Sequence, residues 1–81
     1  MGSAPNLYYK QNRLKQLRAF CRAARLGSIS MAAESLCLSQ PAVSLQIQAL
    51  EREFSTSFFE RRGPQIKLTP EGEALYQLSD P

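Results

Sequence analysis

At 81 residues, with 43% hydrophobic and 21% charged residues, the chain has room for one small domain, which buries little more than about 60% of its unfolded surface. It has no histidine, two cysteines and a net charge of +3, which excludes histidine-bearing zinc fingers, Ser-His-Asp triads and imidazole acid-base catalysis; no enzyme, cofactor or metal is expected. No apolar run nears the roughly 18 residues of a membrane span and no signal-peptide core is present, so the expectation is a cytoplasmic chain with no membrane partner. Cys21 and Cys37 are then reduced and, lying in helical patterns, read as buried small hydrophobes.

Residues 1–12 are polar, contain Gly2 and Pro5 and hold no sustained period; they read as a flexible leader. Over 12–26, Leu14, Leu17, Cys21 and Ala24, with Phe20 beside them, recur at steps of three and four and predict an amphipathic helix ending at Gly27. Lys15, Arg18, Arg22 and Arg25 share that period on a neighbouring face. Ser28 and Ser30 both suit the cap of a two-turn helix over 31–37, with Ala32, Ala33 and Leu36 inward. Ser39 caps the next helix, over 40–54, and Pro41 falls in its first turn. In that helix Val43, Ile47, Leu50 and Phe54 form one core stripe, while Pro41, Ser44, Leu45, Gln48 and Arg52 project roughly opposite and Gln40 lies at the margin. The outer face is polar, short-chained and uncharged until Arg52, where a merely solvated face would carry more Lys and Glu.

Residues 58–61 and 66–68 read as strands around a Gly63-Pro64 turn, giving a small hairpin over 58–68. Thr69-Pro70-Glu71 states a helix start, and Ala74, Leu75 and Leu78 follow as an apolar edge. Only Val43, Ile29, Ile47, Ile66, Thr56 and Thr69 are β-branched, too few for a sandwich or barrel, so the fold class is mainly α. Positive charge is concentrated in residues 1–27, which carry six cations and no acid, and again at Arg61, Arg62 and Lys67. Two such places suit a polyanion; an ordinary solvated helix face and a basic turn suit them equally.

A short helix, a tight break and a helix with a polar outer face form a helix-turn-helix, and the hairpin behind it makes the arrangement winged. Phe20, Ala24, Gly27-Ser28, Ala32-Ala33, Leu36, Ser39-Gln40-Pro41-Ala42-Val43-Ser44, Gln46-Ile47, Leu50-Glu51, Phe59-Glu60-Arg61 and Leu68-Thr69-Pro70-Glu71-Gly72 resemble the N-terminal domain of LysR-type transcriptional regulators, over about residues 13–78. The resemblance implies a winged helix-turn-helix over 13–68 that reads double-stranded operator DNA, with helix 40–54 in the major groove and the wing on backbone or minor groove. It also implies that residues 69–81 begin a linker helix pairing two subunits, with Ala74, Leu75 and Leu78 as dimerisation candidates. A small-molecule effector would bind a further C-terminal domain, absent from these residues, and the setting would be the bacterial nucleoid.

Gln40, Pro41, Ser44 and Leu45 are the base-contact candidates, since a Gln amide pairs bidentately with adenine and apolar groups meet the thymine methyl. Many members of the family carry Arg where Leu45 stands; Leu45 either touches a thymine methyl or is idle. Ser28, Ser30, Ser39, Gln48, Arg52, Arg61 and Arg62 are the backbone candidates, although Arg61 could instead pair with Glu60 or Glu71. Ser55 replaces a common Gly at the end of the reading helix. The alternative function is a winged-helix protein–protein module, which a broad apolar exposed patch would favour.

Overall fold

The computed structural model describes the backbone of residues 3–79 and the side chains of residues 12–79. The elements follow in the order α1 (Ser3–Leu26), α2 (Ile29–Leu36), α3 (Gln40–Phe54), β1 (Phe59–Arg62), β2 (Gln65–Leu68) and α4 (Pro70–Ser79). The first helix begins at Ser3 and not near residue 12, so from Ser3 onward the segment expected to be a flexible leader is helical, its first two residues lying outside the described ones. Pro5 falls in the first turn, where no hydrogen bond is lost, and neither glycine nor proline interrupts the run from Asn6 to Leu26.

Gly27, with φ of 68°, stops α1. Ser28, and not Ser30, caps α2: its Oγ accepts a hydrogen bond from the Met31 N–H at 3.1 Å, and the helix therefore starts at Ile29. Ser39 does the same for α3, accepting from the Ala42 N–H at 3.2 Å, with Pro41 in the first turn. Both helices end in Schellman turns. The Leu38 N–H reaches the Ala33 carbonyl at 2.9 Å and the Thr56 N–H the Glu51 carbonyl at 3.1 Å, placing Cys37 and Ser55 in the left-handed region at φ of 59° and 53°. Cys37 is thus exposed, because it stands one residue beyond the last inward turn; Cys21 is half-buried against the core.

Phe20 is the centre of the core and is fully buried. Its ring packs against Phe58 at 5.4 Å, Phe59 at 5.3 Å and Tyr76 at 6.4 Å between centroids. Ala19 and Ala23 on α1, with Ala32 and Ala33 on α2, let the helices approach closely, and α3 adds Val43, Ile47 and Leu50. Burying a Phe or Leu of this kind contributes about 1.5–3 kcal/mol. The core stripes are shorter than expected: Leu14 is 64% exposed and Phe54 is 49% exposed. The inner face of α1 is carried by alanines around Phe20, and Phe54 lies at the far end of α3, beneath the Arg13 guanidinium 5.5 Å from its ring centre.

The hairpin pairs antiparallel, with Phe59 opposite Leu68, Glu60 opposite Lys67, Arg61 opposite Ile66 and Arg62 opposite Gln65. It begins one residue later than expected because Phe58 is buried and donates its N–H to the Glu51 carboxylate at 2.8 Å, outside the ladder. The Ile66 N–H donates to the Gly27 carbonyl at 3.3 Å, which fixes the hairpin to the α1–α2 corner. Thr69 caps α4: its Oγ1 accepts from the Gly72 N–H at 3.0 Å while its hydroxyl donates to the Ser57 carbonyl at 2.7 Å. Three helices, a wing and a fourth helix leaving it make a winged helix-turn-helix.

Candidate nucleic-acid interface

The buried side of α3 determines what its other side offers. With Val43, Ile47 and Leu50 inward, Gln40, Pro41, Leu45, Gln48 and Arg52 are all exposed, as their spacing predicts. Ser44 is half-buried because it lies on the flank facing the wing. There a cleft of about 160 Å³ is lined by Ser44, Gln48, Ser57, Phe59, Arg61 and Ile66. Strand alternation turns Phe59 and Arg61 toward this cleft and Glu60 and Arg62 away from it.

Arg62 lies 3.5 Å from Glu60 on that outer side, so the pairing with Glu60 that was open to Arg61 is made by its neighbour. Both members are largely exposed, and such a pair restrains Arg62 only weakly. The N-terminus of α2 borders the same cleft through Ile29. The Ser28 Oγ is occupied as a cap acceptor, leaving its O–H able to donate; Ser30 is exposed one turn position further. Of the first-turn amides of α2, Met31 is taken by the Ser28 cap, and those of Ile29 and Ser30 lie outside the intrahelical ladder, available to an anion. Ser39, exposed at the head of α3, places Gln40 at the leading end of the reading face.

The basic stripe of α1 is divided in use. Arg13 is ion-paired with Glu53, and Arg22 donates to the Ser35 hydroxyl at 3.1 Å. Lys15 and Arg18 instead flank a second cleft of about 310 Å³, on the opposite side of α3, lined by Leu36, Leu38, Ala42 and Gln46. On α4, Ala74 is exposed and Leu75 packs partly against the core, whereas Leu78 is 87% exposed. A shallow depression beside α4 is lined by Leu14, Leu17, Arg18, Cys21 and Ser79.

Three contributors escaped the sequence reading. Ser57 lines the cleft from a loop that signalled only a break, Glu51 anchors that loop from the end of the motif Leu50-Glu51, and Tyr76 closes the core over Phe20. Periodicity registers none of them, because each acts outside a helical stripe: Glu51 on the loop that follows its helix, Ser57 from that loop, and Tyr76 on Phe20 far back in the chain. Among the described residues no group of His, Cys, Asp and Glu is placed to hold a metal, and no helix is long and apolar enough to cross a membrane.

Fold and cleft together define a helix-turn-helix domain whose wing and second motif helix share one open face. Residues 14–73 match the family described as bacterial regulatory helix-turn-helix protein, lysR family, and the chain belongs to it. It is 50% identical over 66 residues to the RuBisCO operon transcriptional regulator of Allochromatium vinosum, a match that spans 82% of this chain and 22% of that relative. Two solved structures are similar. One is the crystal structure of the BenM_DBD/benA site 1 DNA complex, BenM being a regulator of Acinetobacter baylyi, with a TM-score of 0.77 and 41% identity over 82% of this chain and 77% of that one. The other is the CbnR_DBD–DNA complex, with a TM-score of 0.76 and 36% identity over 79% of this chain and 74% of that one.

Proposed function

We propose that this domain binds double-stranded DNA sequence-specifically as the reading head of a transcriptional regulator. The observation that carries the reading is the common face formed by the uncharged outer side of α3 from Gln40 to Gln48 and the inward-turned Arg61 of the wing. Charge and reading are separated on that face. Amide, hydroxyl and apolar groups on α3 meet base edges, and Arg61 in the cleft, Arg52 on α3, Arg62 on the outer side of the wing, and Ser28, Ser30 and Ser39 at the helix starts meet phosphates or the minor groove. The two similar structures are both complexes with DNA, which supports the reading.

Pairing of two copies over two half-sites is the second part of the proposal. One module of this size buries roughly 600–1,000 Å² on DNA, and doubling it supplies the specificity a single head lacks. The exposed Leu78 and Ala74 on α4 are the surface offered for that contact. Response to a small-molecule effector belongs, in this reading, to the part of such regulators that the match does not cover.

The test is selection of bound sequences from a random duplex pool, followed by titration of variants. Gln40→Ala is expected to lose about 1–3 kcal/mol, and to lose it at one base position. Arg61→Ala is expected to weaken all duplexes alike and to lower the salt slope by about one. Equal affinity for every duplex in competition defeats the proposal.

A further inference from the structure

The side of α3 facing away from the core runs Pro41, Leu45, Gln48, Arg52, and Leu45 is its one large aliphatic side chain, 63% exposed. Three other exposed hydrophobic groups have visible neighbours, and Met31 and Leu78 lie on α2 and α4, off this face. Phe54 lies against Phe58 and beneath Arg13, Leu38 borders the cleft of Lys15 and Arg18, and Leu14 belongs to the α1–α4 edge. Leu45 stands in the middle of the proposed reading face, between Pro41 and Gln48.

The major groove presents a single apolar group, the C5 methyl of thymine. Guanine offers two acceptors and is best met by a side chain with two donors, while cytosine offers an amino group and needs an acceptor. An isobutyl group has neither. Against guanine or cytosine it strips water from polar edges and leaves them unpaired; against thymine it buries methyl on methyl.

Resting on the DNA-binding reading above, we infer that Leu45 is a specificity determinant that selects thymine by contact with its 5-methyl group. Gln40 is five residues before it, about 7.5 Å of helix rise, so the two side chains do not read the same base. The half-site therefore carries a thymine, read by Leu45, in addition to the base read by Gln40.

The experiment takes the duplex selected by the 81-residue chain and replaces its thymines with deoxyuridine one at a time, which removes only the methyl. One replacement weakens the unsubstituted chain roughly fourfold, the worth of one buried methyl, and leaves Leu45→Ala unaffected. Leu45→Arg moves the selected base at that position to guanine. A specific half-site in which every thymine tolerates uracil, or in which Leu45→Ala shows the same loss, overturns the thymine contact and leaves DNA reading intact. A chain that binds all duplexes alike overturns both. Leu45 is exposed, so a circular-dichroism melt of each variant is expected to match that of the unsubstituted chain.

Discussion

Ser55 ends α3 in the left-handed region, with φ of 53°, and donates its N–H to the Arg52 carbonyl at 3.2 Å. A residue with a Cβ is disfavoured there by roughly 1–2 kcal/mol relative to the right-handed region, whereas glycine is not. The serine is nevertheless held, because the following Thr56 N–H closes the turn onto the Glu51 carbonyl and the chain must reverse to bring Phe58 into the core. Ser55→Gly is expected to raise stability by about 1 kcal/mol, less the extra entropy of glycine in the unfolded chain, moving Tm up by several degrees for a domain of this size. A thermal melt checks this, and a lower Tm contradicts it. Sequence alone marked Ser55 as a departure from the family's glycine; only the backbone shows that the departure falls on a left-handed residue.

At the scale of elements, the wing and α4 are held by three groups around Phe58. The Glu51 carboxylate accepts its N–H, its carbonyl accepts the Thr69 N–H at 3.0 Å, and Gly72 packs directly on that carbonyl. A Cβ at Gly72 would lie well inside contact distance of the Phe58 carbonyl oxygen and 2.9 Å from Leu68 Cδ2. The backbone there has no room to yield without breaking the Thr69 cap. Gly72→Ala is therefore expected to lower unfolding free energy by about 1–3 kcal/mol, read as a reduced urea midpoint, and to loosen the wing. An unchanged midpoint would mean that α4 docks more loosely than this packing implies. The consequence reaches the proposed DNA face, since Arg61 is aimed by a strand whose start Phe58 defines.

For the molecule as a whole, its charge is only partly free for a polyanion. Arg13 and Arg22 serve internal contacts, and Arg62 pairs with Glu60 on the outer side of the wing, so the cations nearest the proposed reading face are Arg52 and Arg61, beside an uncharged centre. On α4, Leu78 is 87% exposed with Ala74, also exposed, one turn before it. A solitary exposed leucine is inexpensive, and this one is the side chain proposed above for contact with a second copy. Leu78→Glu is expected to leave the fold intact and to reduce self-association in sedimentation velocity, together with cooperative binding to a two-half-site duplex. Unaltered self-association would place the contact elsewhere.

The sequence by itself determined the helix-turn-helix. Ser39-Gln40-Pro41 specified the start of α3, the four-three spacing of Val43, Ile47 and Leu50 specified its inner face, and the same period specified which residues lie outside. These are local signals, legible because a helix repeats every 3.6 residues whatever surrounds it. Tertiary structure alone decided which of Arg61 and Arg62 faces α3, which serine caps α2, that alanines and not Leu14 form the inner face of α1, and that Leu75 joins the core while Leu78 does not. Each of these is fixed by contacts between residues far apart in the chain, where strand register, close approach of backbones and competition for one buried space choose among candidates that local pattern leaves equal.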